Sequence, residues 1–137
     1  MARFAIHFTI FLTLLGLWTW KLLEPYPVPE DLRKGLGEYD FWAAKTLHAC
    51  GYALLTFLAM TLPVARRWRW ALAGFLVLHG VGTEIGQTFV ENRTGTVRDV
   101  IIDWCGIALG LAALRLRFLK PGEPRVSATG VRNDSSR

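Results

Sequence analysis

Lys45, His48 and Tyr52 follow one another at i, i+3 and i+7, Glu84 and Gln87 at i and i+3, and Asp99 and Asp103 at i and i+4. Each set falls along one face of a helix. Arg93 sits in the short polar stretch between the second and third sets. Lys45, Arg93 and His48 are cationic or hydrogen-donating groups suited to holding a phosphate, diphosphate or carboxylate. The carboxylates of Glu84, Asp99 and Asp103 offer acid and base groups. No HExxH spacing, glycine-rich phosphate loop or nucleophile elbow accompanies them, so no metal or cofactor is expected and no reaction type is legible.

The elements that must position these residues are apolar. Of 137 residues, 52% are hydrophobic and the mean hydropathy is +0.28. The apolar residues come in blocks of about 20, the length that crosses a hydrocarbon core. Four spans are predicted, over residues 4–23, 44–62, 70–90 and 99–118. The fold expected is all-α, a four-helix transmembrane bundle forming one domain over residues 1–120, with a disordered basic tail over 121–137. The first span is read as an uncleaved helix, because it is longer than a signal-peptide core and no small-x-small site follows it. Pro25, Pro27 and Pro29 break the connector after it, whose later part is expected to form a short surface helix. Pro63 ends the second span, and Arg66, Arg67 and Arg69 with Trp68 and Trp70 form a tight basic turn.

Four spans bring both termini to one side, and charge says which. The terminal side carries ten basic residues, Arg3, Arg66, Arg67, Arg69, Arg115, Arg117, Lys120, Arg125, Arg132 and Arg137, against Glu123 and Asp134. By the positive-inside rule the termini are expected to be cytoplasmic and the chain to be a multi-pass membrane protein. The +5 net charge thus belongs to span ends, and with no nucleic-acid motif a nucleic-acid partner is excluded. Cys50 and Cys105 fall inside spans, where free cysteine acts as a small apolar residue.

The same topology puts Lys45, His48, Tyr52, Glu84, Gln87, Asp99 and Asp103 in the outer halves of the last three spans. A charged side chain inside a bilayer costs roughly 2.5–3.5 kcal/mol on insertion scales. Singly, each residue has an ordinary explanation. Lys45 could snorkel to the interface, His48 could be an interior hydrogen-bonded histidine, and Asp99 could favour a helix N-terminus. Their coincidence at one depth points to a functional cluster of Lys45, His48, Tyr52, Glu84, Gln87, Arg93, Asp99 and Asp103. His79, on another face from Glu84, is read as structural. Gly82-x-x-x-Gly86 and Gly106-x-x-x-Gly110 are expected to let helices approach closely.

In their order and spacing, Lys45-Thr-Leu-His48, Glu84-Ile-Gly-Gln87, Arg93 and Asp99-Val-Ile-Ile-Asp103-Trp-Cys-Gly106 resemble the VanZ-like family of small bacterial membrane proteins. The resemblance covers roughly residues 40–115. Two positions depart from the family pattern: Asp103 stands where Asn is usual, and Ala44 replaces an acidic residue that often precedes the lysine. The family takes its name from a protein linked to resistance against teicoplanin-type glycopeptides. The resemblance therefore implies a place in the cell envelope and a polar intramembrane site. The partners expected are membrane lipid and a lipid-linked cell-wall precursor or a lipoglycopeptide. An enzyme acting on a lipid headgroup and a structural or assembly module are the alternatives. A transporter would require a homo-oligomer, since four short helices make no path.

Overall fold

A computed structural model describes residues 2–25, 38–91 and 93–118. They form four helices: α1 (Ala2–Leu23), α2 (Glu38–Thr61), α3 (Arg66–Gln87) and α4 (Val97–Phe118). Among the described residues there is no strand. The all-helical expectation holds, with shifted ends. The second helix starts at Glu38 rather than 44, so it takes in the end of the connector; the surface helix expected in the connector's later part falls mostly on residues outside those described. The third runs over Arg66–Gln87 rather than 70–90. The proline-rich connector over 26–37 and the tail over 121–137 lie outside the described residues.

The breaks follow from local chemistry. Pro63 lacks an N–H and restricts the residue before it, so α2 stops at Thr61. The arginines expected in a tight turn instead open α3, and Arg69 donates through Nη1 to the carbonyl of Met60 at 3.2 Å, a carbonyl that the end of α2 leaves open. At the far end of α3, the hydroxyl of Thr88 donates to the Ile85 carbonyl at 2.7 Å. Gly95 lies against the same helix end, where an added Cβ would stand 1.8 Å from the Glu84 carbonyl oxygen, so no other residue fits.

Contacts between helices set their directions. Cβ atoms built at Gly106 and Gly110 would lie 2.3 Å from the carbonyl of Ala49 and 2.5 Å from that of Ala53. The four-residue step is the same on both helices, so α2 and α4 run parallel and nearly touch backbone to backbone. Asp103 faces Gly80 while Thr96 meets Glu84, which makes α3 antiparallel to α4. Thr19 meets His79 and Leu23 meets Gly86, which makes α1 parallel to α3. The chain thus alternates in direction, with its first and last helices beginning and ending at one end of the bundle.

The two glycine pairs differ. Gly106 and Gly110 form the close seam expected of them, and Gly86 meets Leu23 of α1, but the space beside Gly82 is open. The expectation that Gly82 packs against a neighbour is corrected accordingly. At Gly51 the missing side chain admits the Trp18 ring, which would lie 2.6 Å from an added Cβ. Phe11, Leu22, Tyr52, Leu55, Ala59, Leu76 and Ile107 form the buried apolar cluster.

Among the described residues, only α1 is both long and apolar enough to qualify as a membrane span by length and composition. The other three helices match α1 in length, but Lys45, Glu84, Asp99, Asp103 and the helix-end arginines lower their apolarity. The four spans expected from the apolar blocks therefore reduce, on this criterion, to one. What α2, α3 and α4 do show is an inverted arrangement. His48, Thr83, Glu84, Gln87, Asp99 and Asp103 are buried, while Leu54, Leu78, Ile85, Ile101 and Leu109 are exposed.

Candidate functional site

The polar side chains stack in layers along the α2–α4 seam, with α3 closing one side. The outermost layer is the ion pair between Lys45 Nζ and Asp99 Oδ1, which joins the two parallel helices near their N-termini. Both side chains are mostly buried, at 15% and 8% exposure. Asp99 thus supplies the carboxylate that Ala44 does not.

One turn deeper, His48 donates from Nδ1 to Asp103 Oδ1 at 2.9 Å. Asp103 is fully buried, and its other oxygen, Oδ2, points toward the Gly80 backbone of α3. Glu84 lies one turn further along that face of α3 and is also buried.

Tyr52 lies a further turn in, so Lys45 to Tyr52 covers about 10 Å of helix axis. The Tyr52 hydroxyl contacts His79 Nδ1 at 2.9 Å and Thr83 Oγ1 at 3.3 Å. Proton counting assigns the bonds. Thr19 gives its single hydroxyl proton to the Leu15 carbonyl at 2.7 Å, so its oxygen accepts from His79 Nε2–H at 2.9 Å. The remaining lone pair, on Nδ1, then accepts the Tyr52 proton, and His79 is held as the neutral Nε2–H tautomer. Thr83 gives its proton to the Gly80 carbonyl at 3.0 Å, so its longer contact with Tyr52 is the weaker one. Trp18 stands edge-on to both His48 and Tyr52 and walls the site on the α1 side.

The start of α4 explains Glu84. Thr96 is the N-cap, its hydroxyl accepting the Asp99 N–H at 3.2 Å. In a capping box, the acidic residue at the third helical position would return a bond to the Thr96 N–H. Here Glu84 Oε2 takes that N–H at 2.9 Å, so Asp99 is directed to Lys45 instead. Glu84 Oε1 is left over.

Among the described residues, six buried side-chain atoms lack a hydrogen-bond partner: Trp18 Nε1, Thr56 Oγ1 and Arg69 Nε, and, around this site, Glu84 Oε1, Gln87 Nε2 and Asp103 Oδ2. Buried polar atoms in native proteins are nearly all paired, so three around one site point to an external partner.

Seven of the eight residues singled out in the sequence lie on the facing sides of α2, α3 and α4. Arg93 goes elsewhere, donating through Nε to the Glu24 carbonyl at 3.0 Å and through Nη2 to the Lys21 carbonyl at 3.2 Å. It ties the turn to the C-terminal end of α1, where a cation also suits the helix dipole. His79, Thr19, Thr83 and Thr96 belong to the network although the sequence did not bring them forward. Threonine within an apolar stretch is the signal that was available for Thr19 and Thr83, while Thr96 lies in the polar turn before α4.

Four alternating helices around a buried ladder of ion pairs and hydrogen bonds define a small all-α bundle with a polar interior. The family model described as VanZ/LLP1 matches residues 6–118, and the chain belongs to that family. No curated protein and no solved structure matches it.

Proposed function

We propose that all four helices cross the bacterial inner membrane, with both termini cytoplasmic, and that the layered site opens toward the outer leaflet and binds the headgroup of an amphiphile. The ligand class is a lipid-linked cell-wall intermediate or a lipoglycopeptide, and in the latter case the protein would act in resistance to teicoplanin-type glycopeptides. The observation that carries this reading is the inverted arrangement, with Glu84, Asp99 and Asp103 buried while Leu78, Ile85 and Leu109 face outward. An apolar exterior of this kind suits lipid rather than water, and ionisable groups inside a membrane bundle face its interior and mark functional sites. Lys45, partly exposed in the outermost layer, is the cation that an anionic headgroup would meet first.

The test is native mass spectrometry of protein extracted in mild detergent, beside Lys45→Ala and Glu84→Gln. Retention of one phospholipid or isoprenoid-phosphate species by the parent, lost in both variants, is the expected result. A second reading, a structural or assembly module, draws on the same bonds, since Lys45–Asp99 and Glu84–Thr96 fasten helices together. It predicts no retained ligand and variants that unfold or lose a protein partner.

A further inference from the structure

We propose that His48, Glu84 and Asp103 form a binding site for a divalent transition-metal ion. The three residues come from α2, α3 and α4, all are buried, and one ligand-capable atom from each lies within 4.8 Å of the others. An ion held at about 2.1–2.4 Å from its ligands spans roughly 4.2–4.8 Å between opposite ligands. The three atoms thus lie no farther apart than two opposite ligands of one ion.

Two further observations point to a cation. First, Glu84 and Asp103 are 4% and 0% exposed, and each has one carboxylate oxygen without a hydrogen-bond partner among the described residues. Asp103 Oδ2 points toward the Gly80 side of α3, the face that carries Glu84 one turn on, and the missing side chain of Gly80 leaves room there. A buried carboxylate oxygen with no donor is costly, and a metal ion removes the cost for both residues at once. Second, if both oxygens of Asp103 bind the ion, the 2.9 Å between His48 Nδ1 and Asp103 Oδ1 matches two adjacent ligands, since bonds of about 2.1 Å at a right angle give about 3 Å. Binding through Nδ1 would replace the proton between these atoms and release it.

The donor set selects the ion. Imidazole with two carboxylates suits Mn2+, Fe2+, Co2+ or Zn2+, while Mg2+ and Ca2+ favour oxygen alone. Three protein ligands leave coordination positions open, as in sites whose ion meets an outside ligand. Thr96 holds Glu84 through Oε2, keeping the carboxylate oriented with Oε1 available. Lys45 and Asp99 neutralise each other nearby, so the triad itself contributes the negative charge that the cation needs.

The test uses the full-length protein, freed of any affinity tag, stripped with EDTA and desalted in mild detergent with no lipid added. Titration with Co2+ alone is expected to give one saturable equivalent with visible ligand-field bands. Zn2+ is expected to compete for it and to raise the Tm. Glu84→Gln, which keeps an oxygen for the Thr96 N–H, and Asp103→Asn are expected to weaken binding by more than the roughly 10–100-fold that follows loss of an outer-shell partner. Both are expected to abolish the Zn2+ shift in Tm while helix content by circular dichroism is retained. Leu78→Ala, at an outward-facing position away from the site, is expected to bind as the parent does. If Asp103→Asn does not fold, Glu84→Gln and His48→Gln decide. Weak, unsaturable uptake, or one-equivalent binding unchanged in Glu84→Gln, overturns the proposal. Because no lipid is present, that failure leaves the amphiphile reading standing, and loss of lipid retention leaves the metal site standing.

Discussion

A methyl group added at Gly106 should do more damage than its size suggests. The new Cβ would stand 2.3 Å from the Ala49 carbonyl oxygen and 3.0 Å from the Ala49 Cα, both backbone atoms that cannot rotate away. Carbon–oxygen contacts between packed helices settle at about 3.3–3.6 Å, so α4 must retreat by roughly 1 Å. The His48–Asp103 bond on the same seam, now 2.9 Å, would lengthen toward about 3.9 Å, past the range of a hydrogen bond. Overpacking of this kind costs about 1–3 kcal/mol, and leaving buried polar partners unmade adds about 1–3 kcal/mol. A loss of about 2–6 kcal/mol for Gly106→Ala is therefore expected. Gly82→Ala is the control. Open space lies beside it, and alanine favours the helix by about 0.5–1 kcal/mol, so it should be neutral or stabilising. Unfolding of both variants by SDS titration in mixed micelles reads the difference directly. Equal midpoints, or a larger loss at Gly82, would refute the seam.

Two further outcomes are expected. Lys45→Met leaves Asp99 without its ion-pair partner and should cost about 3–5 kcal/mol, whereas the same substitution combined with Asp99→Asn should recover more than half of that loss; additive losses in the double-mutant cycle would show that the two do not act as a pair. Tyr52→Phe removes the proton given to His79 Nδ1 and should cost about 0.5–1.5 kcal/mol, with the nitrogen-15 resonance of His79 Nδ1 moving more than that of Nε2; an unmoved Nδ1 signal would sink the proton assignment.

The helices were legible because their breaks are chemical, with Pro63 after α2 and the glycine-containing turn before α4. The polar layers were legible because spacing along each helix fixes which residues share a face. What spacing does not give is the rotation of one helix against another. Nothing local reveals that α2 and α4 run side by side, so the sequence does not assign Asp99 to Lys45. His79 was set apart because it points to another face of α3 than Glu84, yet that face meets Tyr52 and Thr19. Gly82 and Gly106 head the same four-residue pattern, and only the packed neighbours separate them. Arg93 reads as a ligand cation by type, but its reach is set by where α1 ends. A metal triad drawn from three helices likewise leaves no local spacing to recognise.

The parallel seam between α2 and α4 also has a consequence for biogenesis. In the proposed membrane setting, a chain emerging from the ribosome delivers α2 well before α4, with α3 made in between. Lys45 and His48 therefore spend the interval without Asp99 and Asp103, as guests of the translocon or of its water, while α1, the one helix apolar enough to partition alone, is already settled. Release into lipid as separate helices would strand those charges. The last helix to be synthesised is thus the one that closes the structure, and a chain cut short before Val97 would present its unmatched polar face to the cell's proteolytic surveillance.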